Sequence, residues 1–189
     1  LGLLAEAEAD YEEAMRRRHW QALAKVCGVK AINPDDPGFT MGNVWALKLD
    51  EHVDDVSDIV ETAMKELKVD NRINVIEAEW KEYELLYTPH KDTEMFLIKL
   101  PEEVMEALDQ HQLDLQGMIG MGKFVDYFKP KIIEWQQTLG NIQEVTKVWD
   151  LVGKSWASLE SIFMASADIR SQVPDDTKRF EAIDSEFKE

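Results

Sequence analysis

Residues 128–163 read FKPKIIEWQQTLGNIQEVTKVWDLVGKSWASLESIF, and a large apolar residue returns at every seventh position of this run. Stepping by seven from Met121 reaches Phe128, Trp135, Ile142, Trp149, Trp156 and Phe163. Three residues after the later members stand Val145, Val152 and Leu159. Such spacing is typical of a helix with one apolar side packed on its neighbours. It predicts a single helical seam of about 40 residues, about 60 Å long, with these side chains in the core.

Weaker patterns of the same kind run through the preceding sequence. Apolar residues at helical spacing predict a helix over 3–26 that stops at Gly28, and a turn cluster follows at 33–38. Thr40 can cap a short helix. A long acidic helix is expected from Val53 to Tyr83, with Trp80 in the core.

The remaining segments predict a β-hairpin and two further helices. Apolar runs at 85–88 and 95–98 flank a short polar loop, which indicates two antiparallel strands lying on the helices. Pro101 and Pro174, each followed by acids, are typical of helix starts. The expected fold is all-α, an elongated helical bundle with one long Trp-rich helix and a small β-hairpin. We expect three consecutive parts: a first helical segment (1–49), an acidic helix with hairpin and helix (50–120), and the Trp-rich helix with its successor (121–189).

The charge balance argues against two classes of partner. The chain carries 38 acidic and 21 basic residues, a net charge of −17. Nucleic acid and anionic membranes would be repelled, and no apolar run approaches the ~20 residues that span a bilayer. The only dense basic run is Arg16–Arg18, which we interpret as a solvated face paired with nearby acids, the alternative being a docking patch for an acidic partner.

With a single cysteine, Cys27, an internal disulfide framework is excluded. The chain lacks an initiator Met and a signal peptide, so we expect a segment of a longer protein.

The sequence signals for a catalytic, cofactor-binding or metal-binding site are weak. The run Gly117–Phe124 has the spacing of a phosphate-binding P-loop through Lys123, but Phe124 stands where Mg²⁺ needs a hydroxyl, and a helix precedes it where a strand is required. The four histidines do not pair at metal-ligand spacing. Ser155, Ser158 and Ser161 lie on a helix, which does not support a nucleophile. We therefore expect no catalytic, cofactor-binding or metal-binding residue in this chain.

Two runs in the last third carry a family resemblance. WDLVGKSWASLESIF at 149–163 resembles the Trp-rich linker helix of dynein heavy chains, with its second Trp seven residues after the first and its Leu-Glu and Ile-Phe pairs. ADIRSQVPDDTKRFEAID at 167–184 is similar to the Asp-Ile-Arg, Gln-Leu-Pro and Lys-Arg-Phe run of the axonemal, outer-arm-like members. Three positions depart from the family pattern: Val173 replaces Leu, and Gly153-Lys154 replaces Val-Gln.

This resemblance implies a tail-to-linker segment of an ATP-driven, minus-end-directed microtubule motor of the ciliary or flagellar axoneme. ATP and Mg²⁺ would belong to the AAA+ modules of the parent chain. The implied partners are that AAA+ ring, neighbouring dynein heavy, intermediate or light chains, and the microtubule only indirectly. Two other hypotheses remain: a generic spectrin-like helical scaffold that binds proteins, and a nucleotide-binding enzyme that uses the glycine run.

Overall fold

The computed structural model describes residues 14–91 and 95–189, and within them the chain is mostly helical. The helices are α1 (Arg17–Val26), α2 (Met41–Ala46), α3 (Val53–Glu82), α4 (Glu102–Ile119), α5 (Lys129–Ala165), α6 (Ala167–Gln172) and α7 (Pro174–Lys188). Strands β1 (Leu86–Pro89) and β2 (Phe96–Lys99) form an antiparallel pair, and 3₁₀ turns cover Leu49–His52 and Gly122–Val125. The all-α class with a small hairpin is confirmed.

The first described helix is shorter than the pattern predicts. Residues 3–13 of the expected helix lie outside the described residues, and the backbone at Arg16 is extended, so α1 begins only at Arg17. Arg16 is the N-cap of α1, and its backbone N–H donates to Nδ1 of His19 at 3.1 Å. At the other end Gly28 takes a positive φ of 67°, and Val29 N–H donates to the Ala24 carbonyl. The stop at Gly28 is confirmed, as a left-handed helix end of the Schellman type.

A buried polar junction joins α1 to α3. Glu66 accepts hydrogen bonds from Arg18 Nε at 2.7 Å and lies 3.0 Å from Nε2 of His19. The Arg18 guanidinium also stacks over the Tyr127 ring at 4.1 Å. Arg16 pairs with Asp70 at 3.4 Å. Arg16 and Arg18, two of the three arginines of the basic run, are thus paired with acids as expected, but Arg18 is partly buried against α3.

Helix α3 confirms the long helix expected between residues 53 and 83. Its buried apolar side chains are Ala63, Leu67, Val69, Ile73 and Ile76. Lys48, in a left-handed conformation with φ 50°, and the 3₁₀ turn after it lead into its first turn.

The hairpin is displaced by one residue from its predicted bounds. Leu86 pairs with Lys99 and Pro89 with Phe96. The His90 N–H adds a bond of 2.8 Å to the Met95 carbonyl, which continues the pairing beyond the strands. Because side chains alternate between the two faces of a strand, one face of this pair can lie on a helix while Tyr87 and Phe96 stay exposed.

The seam of large apolar residues does not form one helix from Met121 onward. The chain leaves α4 at Ile119, passes through Gly122 with φ 66° and a 3₁₀ turn, and enters α5 only at Lys129. Positive φ is accessible to glycine without a side-chain penalty, so this turn can stop the helix. Pro130 falls in the first turn of α5, where its missing N–H costs no helical bond.

The chain divides into two compact units, each made of two sequence segments. The division into three consecutive parts stays a prediction. The first unit is Leu1–Glu79 with Gly117–Ile132, and the second is Trp80–Gln116 with Ile133–Glu189. Helices α3, α4 and α5 each contribute residues to both units.

Candidate interaction face of the long helix

The indole of Trp156 is the best-anchored side chain of α5. It is 3% exposed, and its Nε1–H donates to Oδ1 of Asp184 on α7 at 3.0 Å. The Phe187 ring stacks on it with centroids 4.6 Å apart. Lys188 pairs with the second oxygen of Asp184 at 2.7 Å. Helix α7 therefore covers apolar surface of this buried side chain and also accepts the hydrogen bond of its polar atom.

The hairpin holds the same helix from another side. The His90 ring lies 4.8 Å from the Trp156 ring, and its Nε2 is 3.3 Å from Oε2 of Glu160. Lys91 also binds Glu160. A hydrogen bond from Lys91, more than the opposing effect of burial, lowers the pKa of the Glu160 carboxyl below its ordinary value. The charged form of Glu160 thus ties the end of β1 to α5.

Glycine at position 153 faces the hairpin where α5 passes β2. Gly153 is buried, and a Cβ added to it would lie 3.7 Å from Cδ2 of Leu97. That distance is ordinary van der Waals contact, so the site has room for a methyl group but not for a long side chain.

Two further ring contacts align α7 with the end of α5. Phe163 stacks on Phe180 with centroids 5.3 Å apart, and Phe180 is 2% exposed. Trp149 reaches Phe187 at 6.4 Å. Contacts at 149, 156 and 163 are spaced by seven residues, as expected for a helix side that follows a partner.

Trp80 anchors the end of α3 on α4. Its Nε1–H donates to Nδ1 of His111 at 3.0 Å. His111 is 2% exposed, and the indole packs edge-on against Tyr83 at 5.1 Å. Because Nδ1 accepts here, the ring proton of neutral His111 belongs on Nε2.

The structure separates the residues expected in the core into three environments. Trp156 and Phe128 are buried, whereas Trp135, Ile142, Phe163 and Trp80 are partly buried. The core prediction is wrong for Trp149, Val152 and Leu159, which are 45%, 44% and 39% exposed. A seven-residue repeat drifts by about 20° per step round a straight helix, and a residue three positions on lies about 60° further round. The offset of three residues turns Val152 and Leu159 away from the packed side. The drift does not account for Trp149, since Trp156 seven residues later is buried.

An apolar surface results, which we call the open stripe. It consists of the exposed residues Val145, Val148, Leu151, Val152, Leu159 and Ile162, between 39% and 65% exposed. Apolar residues at spacings of three, four and seven on a helix surface mark contact faces. Sequence reasoning missed this face, although Val148 and Ile162 lie off the seven-residue series and signalled a second apolar side.

The relatives of this chain identify its family. Residues 7–189 match the family described as dynein heavy chain, N-terminal region 2. The chain belongs to this family. It is 36% identical over 182 residues to the dynein beta chain of the flagellar outer arm of Chlamydomonas reinhardtii. These 182 aligned residues are 95% of this chain. It is 36% identical over 176 residues to dynein axonemal heavy chain 9 of Homo sapiens, and equally to the ciliary dynein beta chain of Tripneustes gratilla. The chain spans about 4% of the length of these relatives.

In this dynein heavy chain segment the glycine run does not have the setting of a phosphate loop. Gly117 lies inside α4, so a helix and not a strand leads into the run. The Lys123 ammonium lies 4.0 Å from Asp58 and 5.3 Å over the ring of Phe124. Within residues 14–91 and 95–189, no group of three His, Cys, Asp or Glu residues has the arrangement of a metal site. No helix of the described part is both long and apolar enough to cross a membrane.

Proposed function

We propose that this chain is a non-catalytic mechanical segment, at the tail-to-linker junction, of an axonemal dynein heavy chain in cilia or flagella. The observation that carries the proposal is on α5. One side of this helix is held at Trp156 by the hairpin and α7, while the open stripe stays exposed on an adjacent side.

Stiffness is the property that the contacts around Trp156 supply. Most helical stability in proteins comes from tertiary packing, not from the helix itself. Contacts from His90, Asp184 and Phe187 restrain the Trp156 side chain from two elements at once. A helix restrained in this way transmits a displacement applied at one end instead of bending.

The open stripe gives the segment a surface for alternative docking. Lever function requires two docked arrangements whose populations depend on the nucleotide state. In this proposal the stripe contacts other parts of the dynein complex, either the AAA+ ring of the same chain or neighbouring heavy, intermediate or light chains. ATP and Mg²⁺ act in the AAA+ modules of the parent motor, and the microtubule is reached only through them.

The main test uses a full-length dynein heavy chain that carries this segment. We expect Val148→Asn with Val152→Asn to slow microtubule gliding several-fold while basal ATP hydrolysis is unchanged, because the substitutions alter docking and not chemistry. Lys147→Gln, at an exposed position on another side of α5, is the control and leaves gliding unchanged. Normal gliding by the double variant, or a parallel loss of hydrolysis, would contradict a mechanical role.

A second experiment separates this proposal from nucleotide binding at the glycine run. Titration of the purified 189-residue chain with Mg-ATP is expected to give no saturable signal, and Lys123→Ala is expected to change nothing. Saturable binding that disappears in Lys123→Ala would instead assign an ATP site to this segment.

A further inference from the structure

A groove runs along the first half of α3, within the first unit. Its apolar floor consists of Leu49, Val53, Val56, Val60 and Met64, and its volume is about 750 Å³. Val53 is 62% exposed, and the other floor residues are half-buried. These side chains are accessible, unlike Ala63 and Leu67 of the same helix, which are buried with Ala14.

The spacing of the floor fits another helix. Val53, Val56 and Val60 follow one another at three and four residues, and Met64 comes four later, so they form a ridge along one side of α3. A second helix can pack its own apolar ridge beside such a row. Met64 adds an adaptable side chain at the end of the row.

One edge of the groove is acidic. Asp50, in the 3₁₀ turn before α3, and Glu61 contribute to its lining. Asp54, Asp58 and Glu61 follow one another at four and three residues, which places their carboxylates along one side of α3. Glu61 is paired with Lys65 at 2.6 Å, and Asp58 has Lys123 at 4.0 Å. In the part of the chain that the structure describes, Asp50 and Asp54 are in no ion pair. This edge therefore has negative charge left to attract a basic partner.

We propose that this groove binds an amphipathic helix of a partner protein that carries Lys or Arg along one edge of its apolar side. Valines and Met64 would bury the apolar side, and the acidic edge would orient the helix through its basic side chains. A second copy of this chain is a poor occupant, because it brings the same acidic edge and another net charge of −17. The inference goes beyond the mechanical role and holds independently of it.

The test measures binding of a fluorescent synthetic helix to the purified 189-residue chain. The probe has about 18 residues, or five turns, with Leu at spacings of three and four and Lys along one edge. A control probe carries Glu in place of each Lys. We expect the basic probe to bind and the acidic probe to bind at least about tenfold more weakly.

Substitutions in the groove locate the binding site. We expect Val60→Asn to weaken the basic probe about tenfold, whereas Val75→Asn, exposed on α3 beyond the groove, leaves its affinity unchanged. Circular dichroism checks whether each variant is folded. Should Val60→Asn reduce folding, Val53→Asn, at the more exposed floor position, replaces it and is also expected to weaken binding of the basic probe. Asp54→Asn is expected to weaken binding and to reduce its dependence on salt.

Several outcomes would overturn the proposal. Equal binding of both probes would show that charge does not select the partner. Equal losses of affinity from Val60→Asn and Val75→Asn would show that the probe does not bind in the groove. Self-association that Val60→Asn abolishes would assign the surface to a second copy. Probe binding that appears only after removal of residues 1–13 would assign it to the chain's own first residues.

Discussion

Two tryptophans that occupy the same position of the seven-residue series have different environments. Trp156 is 3% exposed and donates to Asp184, whereas Trp149 is 45% exposed and its ring contact is with Phe187 alone among the described aromatic pairs. Residue type and spacing do not distinguish the two. The difference comes from which parts of the hairpin and α7 reach each ring.

We therefore predict unequal effects of truncating the two tryptophans. Trp156→Ala is expected to lower the free energy of unfolding by about 3–5 kcal/mol, as for other large aromatic truncations in a core. Trp149→Ala should cost about 1 kcal/mol, as for a half-exposed side chain. Urea unfolding followed by circular dichroism measures both.

An intermediate variant isolates the hydrogen bond. Trp156→Phe keeps most of the ring but removes the indole N–H that donates to Oδ1 of Asp184, which we expect to cost about 1–3 kcal/mol. Equal losses for Trp149→Ala and Trp156→Ala would contradict the difference in burial.

His19 is a buried histidine held in its neutral form. Its Nδ1 accepts from the Arg16 N–H, so its Nε2–H donates to Glu66. Desolvation by burial, together with the charge of Arg18, lowers the pKa of His19 below 6.5, although Glu66 opposes the shift. Protonation would remove the acceptor that starts α1.

The lowered pKa has a definite consequence for stability. Below pH 6.5 the unfolded chain takes up a proton at this position that the folded chain resists, so the His19 contribution is complete above about pH 6.5 and declines as pH falls below it. We predict that His19→Gln reduces the fall in thermal midpoint between about pH 7 and pH 5, measured as the difference from the parent chain.

The exposed, uncharged Gln21 on α1 gives a matched control. Gln21→Ala should leave the pH dependence of the midpoint as it is in the parent chain. A His19→Gln variant with the same pH dependence as the parent would show that His19 does not titrate as described.

At the scale of elements, the contact between α5 and the hairpin depends on the size of residue 153. A glycine inside a helix costs about 1 kcal/mol relative to alanine. Since a Cβ at Gly153 would meet Leu97 at an ordinary 3.7 Å, we predict that Gly153→Ala raises the free energy of unfolding by about 0.5–1 kcal/mol. Gly153→Leu should lower it, because the longer side chain displaces Leu97.

Gly140 of the same helix provides the comparison, since a Cβ there would have nothing within 4 Å. Gly140→Ala and Gly140→Leu should both be tolerated. Denaturant unfolding of the four variants tests the contact. If Gly153→Leu is as stable as Gly140→Leu, the hairpin does not lie against α5 at this point.

At the scale of the whole molecule, charge repulsion opposes folding. The 38 acidic and 21 basic residues leave a net charge of −17. Several of the described ion pairs are on the surface, such as Lys48–Glu51 and Lys154–Asp150, and such pairs contribute little. We predict that the thermal midpoint rises when ionic strength increases to about 0.15 M, where the Debye length is about 8 Å.

Sodium chloride and potassium chloride at equal ionic strength should act alike, since screening does not depend on the cation. A midpoint that falls with added salt would mean that surface ion pairs stabilise the chain more than repulsion destabilises it.

Local chemistry was sufficient to predict much of this fold. Interactions within a few residues determine the helical spacing in α3, the stop at Gly28, the start at Pro174 and the apolar runs of the hairpin. These features can therefore be predicted from the sequence. The Trp-rich run of α5 indicated the dynein heavy chains by its resemblance to that family and not through local chemistry.

Burial, in contrast, was decided by tertiary packing. Whether Trp149 or Trp156 is covered depends on where α7 and the hairpin lie, and the buried bond between His19 and Glu66 joins residues 47 positions apart. A helix surface has many apolar residues that are able to pack, and only the positions of its neighbours determine which of them do. The open stripe and the groove on α3 are consequences of that geometry, and no local pattern of residues specifies it.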